Sequence, residues 1–311
     1  MLHLRVVCPE EESSRAAAIL TDEIGAIALT SSVSSHGVVL TADVAREAVD
    51  PVLDRLREAG VLRHGMVTLE PLDTAIGGLA ERAERDAPGE GADALIWDDL
   101  AARTGEDSIL TWTFAAFMVL AALLAAIGIV TNSTITIVGA MVVGPEFGPL
   151  AGLAVGLLRR RRAIVRDATV ALVVGFTLAI VATALLSLLG RAAGLFDEQS
   201  LAKHDQTEFI YHPGWFSLIT AVVAGAAGTL SLTSAKSAAL VGVFISVTTI
   251  PAAGNVAVAA TVGYWYQAGQ SLLQLAINLV GIVLAGLTTL TLLERVQARR
   301  ASRAVTPAPG A

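Results

Sequence analysis

The residue best placed to do chemistry is Glu146, an acid inside the apolar segment 135–158, where Pro145 and Pro149 flank it. A proline has no amide hydrogen, so the carbonyls of Met141 and Pro145 are expected to lose their helical donors. A backbone break is tolerated in a bilayer only where it faces protein or lines a wet cavity. An acid at that depth is by default functional. We therefore predict that these four residues belong to a site for an ion or a small solute.

Two chemical roles are open for the carboxylate of Glu146. Buried without a cation, it would hold a proton near neutral pH and release it when the site is hydrated. Bound to a metal or sodium ion, it would stay charged. The alternative to a functional role is a structural one, in which Glu146 is neutralised or hydrogen-bonded to freed backbone or asparagine side chains.

A second apolar segment repeats this design around Pro251. Thr249 and Asn255 lie nearby, and Val241-Gly242-Val243 opens this segment much as Val138-Gly139-Ala140 opens the first. Interrupted spans at matching positions point to a midplane site in transporters built from inverted repeats. We therefore predict broken second and fifth spans that share one site, with Asn132 at the end of the first span. Other polar residues that could complete the site are Thr134, Thr136, Thr229, Ser231, Thr233, Ser234 and Asn278.

A row of glycines follows the break at four-residue spacing: Gly144, Gly148, Gly152 and Gly156. Small residues at this spacing form a narrow helix face that another helix can approach closely. We predict helix packing for this row, and the alternative is a hinge that lets the break move.

The elements that must position these residues are six apolar segments, each long enough to span a hydrocarbon core of about 30 Å. They cover residues 109–130, 135–158, 164–189, 215–232, 238–264 and 272–293. With the N-terminus inside, the arginine cluster 159–162 and most other positive charges of this half fall on the cytoplasmic side. We therefore predict a multi-pass protein of the inner (cytoplasmic) membrane with both termini in the cytoplasm and a possible 3+3 inverted repeat.

The chain changes character near residue 107. Residues 1–107 contain 21 acidic and 9 arginine residues, a balance of −12, whereas residues 108–311 have 7 acidic and 12 basic residues, a balance of +5. An acidic half suits water and disfavours nucleic acid. We predict a cytoplasmic domain at 1–73, an amphipathic linker at 74–106, the six-span domain at 107–295, and a basic, proline-containing disordered cytoplasmic tail at 296–311.

The first domain reads as alternating strand and helix patterns. Residues 3–8, the hairpin formed by 26–30 and 37–40, and residues 61–69 predict strands, and the apolar stripes of 13–24 and 43–59 predict helices. The order β-α-β-β-α-β is typical of a ferredoxin-like α+β fold, a four-stranded antiparallel sheet with two helices on one face. That fold does not name a function. We expect a regulatory or assembly module, the alternative being an inert cap.

Several chemistries are disfavoured by the residue inventory. The single cysteine, Cys8, excludes a disulfide or a cysteine-based zinc site within one chain. The sequence shows no phosphate-binding loop, nucleophile elbow or zinc-protease helix. His204, Asp205, Glu208 and His212 are ligand-type residues, but a solvated external loop explains them. We expect no enzyme activity, no cofactor and no metal site.

Three motifs carry a resemblance to a known family. Gly128-Ile-Val-Thr-Asn132, the stretch from Val138 to Leu150, and the stretch from Gly242 to Pro251 resemble the prokaryotic membrane family catalogued as domain of unknown function 389. The resemblance covers about residues 95–295. It implies a multi-span protein, often with a soluble N-terminal domain, and it does not indicate a substrate. Many relatives have a proline pair where this chain has Pro251-Ala252, and many have no acidic residue where this chain has Glu146.

Taken together, these patterns favour a homo-oligomeric transporter or channel for an ion or small solute, regulated by its cytoplasmic domain. Its partners would be the lipid bilayer, further copies of the chain and the transported species. The alternative is a non-transporting membrane sensor or scaffold whose cytoplasmic domain binds a ligand or partner.

Overall fold

The computed structural model describes residues 1–72, 74–87, 95–197, 214–233 and 241–304, without the side chains of 233, 241–248 and 298–304. The chain divides into two compact units, Met1–Asp99 with Glu294–Ala311, and Leu100–Leu293. The predicted ligand-type loop residues His204, Asp205, Glu208 and His212, and also Ser234, lie outside the described residues, as do 305–311.

The first unit contains a four-stranded antiparallel sheet. Its strands are Leu2–Cys8 (β1), Ala26–Ser34 (β2), Gly37–Val44 (β3) and Met66–Pro71 (β4), and its helices are Glu10–Asp22 (α1), Val49–Glu58 (α2), Val61–His64 (α3) and Gly78–Asp86 (α4). The strand order is β2-β3-β1-β4. The predicted sequence of elements is therefore observed, with two corrections. Residues 43–44, predicted to begin a helix, belong to β3, so that α2 begins at Val49, and residues 61–64 form a short helix instead of the start of a strand. Gly60, at φ +82°, ends α2 and turns the chain into this helix.

Buried and more exposed residues alternate along β1, so that one face of the sheet contributes to an apolar core. Leu2, Leu4, Val6 and Cys8 are buried, while the residues between them are more exposed. Side chains of successive strand residues point to opposite faces. The buried face packs against apolar residues of α1 and α2, including Leu20 and Leu56.

The second unit is helical. Its helices are Trp97–Asp107 (α5, which begins in the first unit), Trp112–Val130 (α6), Thr134–Val143 (α7), Phe147–Leu158 (α8), Arg162–Ala192 (α9), Trp215–Thr233 (α10), Val241–Val262 (α11) and Trp265–Ala304 (α12, which ends in the first unit). Among the described residues, four helices (α6, α9, α10 and α12) are long and apolar enough to cross a membrane, or five spans if the bent pair α7–α8 counts as one. Apolar helices of this kind are those of a membrane protein. Six spans and the inverted repeat remain predictions.

The predicted break in the second span is present. α7 ends at Val143, Gly144 adopts an extended backbone (φ −65°, ψ 124°), and α8 begins at Phe147 at an angle of 51° to α7. Pro145 lies in this break, where its missing amide hydrogen interrupts the helix. Pro149 does not contribute to the break, since it occupies the first turn of α8, where a helix has no intrahelical use for the amide hydrogen.

The predicted break in the fifth span is wrong. α11 is one helix from Val241 to Val262, with Pro251 inside it. A single proline removes one backbone hydrogen bond, and a membrane helix can absorb that loss. The second span differs because Gly144 and Pro145 stand together at its break. α11 is also held tightly, since a Cβ at Gly254 would lie 2.8 Å from Ala125 Cβ of α6.

The main apolar core of the second unit is made largely of small residues. Met118, Ala121, Ala122 and Ala125 of α6 are fully buried, and Ile250 of α11 is buried in the same cluster. Small side chains allow helix backbones to approach closely, so packing contacts replace the hydrophobic effect that is missing in lipid. The break between α7 and α8 therefore lies beside a closely packed α6–α11 pair.

Candidate functional site

The break between α7 and α8 places Glu146 against α11. Glu146 is the residue immediately before α8, and its side chain is fully buried. Thr249, which is also fully buried, donates a hydrogen bond from Oγ1 to Glu146 Oε1 at 2.7 Å. The structure thus joins the two predicted segments at an acid and a hydroxyl.

Gly144 allows this close approach. A Cβ at Gly144 would lie 2.8 Å from Ile250 Cγ1 and would collide with Glu146 Oε2. Contacts this short do not occur with real side chains, so a larger residue would displace either the carboxylate or α11. Glycine at 144 therefore helps to fix where the Glu146 carboxylate lies.

A buried carboxylate beside a hydroxyl can do two kinds of chemistry. Oxygen ligands of this type suit hard cations. The same carboxylate, when desolvated, can instead carry a proton and release it on hydration. Pro145 adds to the polarity of this region, because its lack of an amide hydrogen removes the helical donor that the Met141 carbonyl would otherwise have.

Two of the predicted site residues lie toward α6 instead. The side chain of Met141 packs with Ile129 and Ile137 in a small apolar cluster. Asn132 occupies the turn between α6 and α7 with φ +50°, and its buried Oδ1 has no hydrogen-bond partner among the described residues. An asparagine tolerates this left-handed backbone better than most residues.

Asn255 belongs to a different cluster from Thr249. They are six positions apart on α11, and at about 100° per residue their side chains face directions roughly 120° apart. Asn255 Nδ2 donates to Ser271 Oγ at 2.7 Å, and Gln267 Nε2 donates to Asn255 Oδ1 at 3.3 Å. Both partners are on α12. The predicted site therefore does not gather all of its members in one place.

α12 carries a polar face that our sequence interpretation missed. Gln267, Ser271, Gln274 and Asn278 follow the spacing i, i+4, i+7 and i+11, which places them on one side of the helix. Only Asn278 was among the predicted candidates. The helical spacing of these polar residues in the sequence could have predicted this face. It was overlooked because the sixth span was predicted to begin at Leu272, whereas the helix begins at Trp265.

The glycine row approaches other elements closely at all four positions. A Cβ at Gly148 would lie 2.7 Å from Asp107 Cβ, and one at Gly152 would lie 3.0 Å from the Thr104 carbonyl oxygen. At Gly156 the nearest atom is Val165 Cγ2, at 2.9 Å. The neighbours of Gly148 and Gly152 are at the end of α5, and that of Gly156 is on α9. This arrangement is what close packing requires.

Two of the remaining candidates, Thr229 and Thr136, have local roles in what the structure describes. Thr229 Oγ1 donates to the Gly225 carbonyl at 2.8 Å, as helix threonines often do. Thr136 interacts with Ser133, whose Oγ accepts from the Thr136 amide and caps α7. Within the described ranges, no three His, Cys, Asp or Glu side chains come together to hold a metal ion.

Comparison with known proteins agrees with the resemblance that the motifs carry. Residues 141–284 match the domain of unknown function DUF389. An uncharacterized protein of Methanocaldococcus jannaschii is 26% identical over 258 residues, which are 82% of this chain and 77% of that protein. No solved structure matches the chain. The DUF389 match includes Glu146 and Thr249, so the contact between them lies within the region similar to the family.

Proposed function

We propose that this protein is an integral membrane transporter or channel that moves an ion or small solute past Glu146. One observation supports the proposal above all others: a fully buried carboxylate stands at a helix break and accepts a hydrogen bond from Thr249 of another membrane helix. Burying an acid in an apolar region is costly, and such residues commonly mark ion or solute pathways.

The break between α7 and α8 would allow the site to open and close. Gly144 and Pro145 separate α7 from α8, so the two half-helices can reorient without breaking helical hydrogen bonds elsewhere. Displacing α8 from α11 would separate Glu146 from Thr249 and admit water or a cation to the carboxylate. Closure would restore the hydrogen bond and exclude water.

The wider setting of the proposal follows from the sequence. We place the protein in the inner membrane with both termini in the cytoplasm, because positive charges cluster around residues 159–162 and near the C-terminus. We also propose that it assembles as a homo-oligomer. The acidic first unit would then be cytoplasmic and regulatory. Neither unit is assigned an enzymatic reaction or a cofactor.

The proposal is tested by flux through purified protein in liposomes. Proton flux is followed with an internal pH-sensitive dye and sodium flux with radioactive sodium. We expect a gradient-driven flux that falls at least about tenfold in Glu146→Gln, since removing a charge from a transport site costs several kcal/mol of ion stabilisation. The matched control is Glu106→Gln, an exposed acid of α5.

The result that contradicts the proposal is equal flux in the parent and Glu146→Gln, or no flux of either ion and none of a panel of small neutral solutes. Absence of all flux would favour the second candidate, a sensor or scaffold. One feature of the first unit supports that candidate: β2 is an edge strand, and Val33 on it is 91% exposed. Exposed edge strands can pair with another chain.

A further inference from the structure

A second buried polar cluster joins α10 to α12. Ser217 Oγ donates to Asn278 Oδ1 at 3.1 Å, and Gln274 Nε2 donates to Ser217 Oγ. Gln274 is 3% exposed and Asn278 is fully buried. None of these residues contributes to the Glu146 site as described above. Three neutral polar side chains are therefore gathered between two apolar helices.

A pocket of about 250 Å³ adjoins this cluster. Its lining residues are Gly214, Trp215, Ser217, Leu218, Gln274 and Ile277. The volume is below the range of about 300–1,000 Å³ that is usual for drug-sized ligands, and it would hold several water molecules or one small solute. Gly214 and Trp215 are exposed, so the pocket opens at the start of α10.

Gln274, which lines this pocket, has a hydrogen-bonding atom that no described residue engages. Its Oε1 is buried and has no hydrogen-bond partner among the residues that the structure describes. Turning the amide over would exchange its oxygen and nitrogen, and one of the two would still be left without a protein partner. Buried polar atoms are nearly always paired in folded proteins. The unused atom therefore points to a ligand.

We propose that this pocket binds a small uncharged molecule carrying a hydroxyl or amide group, which hydrogen-bonds to Gln274. The ligand is uncharged because none of the lining residues that the structure describes has an ionisable side chain, and an uncompensated charge between apolar helices is costly. Trp215, Leu218 and Ile277 contact its apolar part. The same chemistry could come from a free solute or from the uncharged terminal glycerol of a lipid headgroup at the membrane surface, with the lipid phosphate outside the pocket.

Because Trp215 lines the pocket, its fluorescence should change when a ligand binds there. The other tryptophans, Trp97, Trp112 and Trp265, are replaced by phenylalanine, and the full-length protein is placed in phosphatidylcholine vesicles. Trp215 fluorescence is then titrated with glycerol, with acetamide and with methylammonium as a charged comparison. In a second arm, no solute is added and the vesicles contain increasing phosphatidylglycerol or, as an anionic comparison that lacks the terminal glycerol, phosphatidic acid.

We expect a saturable change with glycerol or acetamide and none with methylammonium. Loss of one buried hydrogen bond predicts binding that is about tenfold weaker in Gln274→Leu. Ser217→Ala, a smaller change, also weakens binding and serves if Gln274→Leu does not fold. Gln267→Leu is the matched control, the same substitution on the same helix outside the pocket, and it keeps the parent affinity.

A response to phosphatidylglycerol but not phosphatidic acid, lost in Gln274→Leu, also supports the proposal and identifies the ligand as a lipid headgroup. The proposal is overturned if no probe produces a saturable change in the parent protein. It is equally overturned if Gln274→Leu and Ser217→Ala bind every probe as tightly as the parent does.

Discussion

Glu146 and Thr249 are 103 positions apart in the sequence, yet their side chains meet at 2.7 Å in a region that is fully buried. This contact joins the start of α8 to α11, and it lies beside Gly144, where a side chain would obstruct it. A hydrogen bond to a buried carboxylate stabilises the charged form and fixes its position. The stability of the helical unit and the behaviour of the site are therefore linked through one pair of residues.

Replacing Thr249 by valine keeps the shape of the side chain and removes its O–H donor. We expect Thr249→Val to lower the free energy of unfolding by about 1–3 kcal/mol, because Glu146 loses a hydrogen bond in a buried region. Denaturant titration in detergent micelles measures the change. Thr288→Val is the control, since Thr288 is exposed and its hydroxyl bonds the Leu284 carbonyl of its own helix. Equal effects of the two substitutions would contradict the assigned role of the Glu146 contact.

The glycines of the membrane half differ in the space around them. In Gly152→Ala, the new Cβ would collide with Ser108 Oγ and lie 3.0 Å from the Thr104 carbonyl oxygen. We expect a loss of about 1–3 kcal/mol in the free energy of unfolding. Gly139→Ala, on α7, meets nothing within 4 Å and should be neutral or stabilising by up to about 1 kcal/mol. The same denaturant titration compares the two, and a reversed order would refute the packing described for α8.

Cys8 gives the first unit a pH-dependent stability. Burial raises the pKa of the Cys8 thiol above its ordinary value of 9.0, and the nearby Glu12 carboxylate raises it further. Below pH 9 the thiol is protonated in both the folded and the unfolded states, so the stability is fully present. As the pH rises through 9.0, the unfolded chain loses its proton first, and stability falls until the pH exceeds the folded-state pKa.

We therefore expect the unfolding free energy of the full chain to fall more steeply as the pH rises above 9.0 in the parent than in Cys8→Ala. Because the thiol is 1% exposed, a maleimide should label the folded protein slowly and the denatured protein quickly. Rapid labelling of the folded protein would show that Cys8 is accessible and would remove the basis of this pH dependence.

The orientation predicted from the charges is open to a direct test. In a Cys8→Ala background, single cysteines are introduced at Arg162, where α9 begins after the arginine cluster, and at Leu195, which is 78% exposed beyond the other end of α9. A membrane-impermeant maleimide should label Leu195→Cys in intact cells and Arg162→Cys only after permeabilisation. The opposite pattern would place the termini outside.

Local pattern was enough to predict most elements of the first unit. Alternation along β1 and the helical stripe of α1 are visible in the sequence, because side-chain direction repeats every two residues in a strand and every 3.6 in a helix. The segment 61–64 escaped prediction, since four apolar or basic residues after a glycine do not distinguish a short helix from a strand. The sheet order β2-β3-β1-β4 then followed from the pairing of β1 with both β3 and β4.

In the helical unit, local sequence patterns were less sufficient, as the segments around Pro145 and Pro251 show. A missing amide hydrogen predicted an interruption at both Pro145 and Pro251, but only the first occurs. The consequence of a proline depends on what surrounds it: Gly144 adds an extended residue beside Pro145, whereas α11 is packed tightly against α6 around Gly254. Sequence gives the lost hydrogen bond, and packing decides between a break and a continuous helix.

The sequence by itself determined which residues form apolar helices, where a proline beside an acid interrupts them, and that small residues line α8, because hydropathy, proline and glycine act locally. Only the tertiary structure decided that Glu146 meets Thr249, that Asn255 turns instead to Ser271, and that Gln274 and Ser217 share a pocket. The physical reason is that spacing along a helix specifies which residues share a face, but it does not specify which other helix that face contacts.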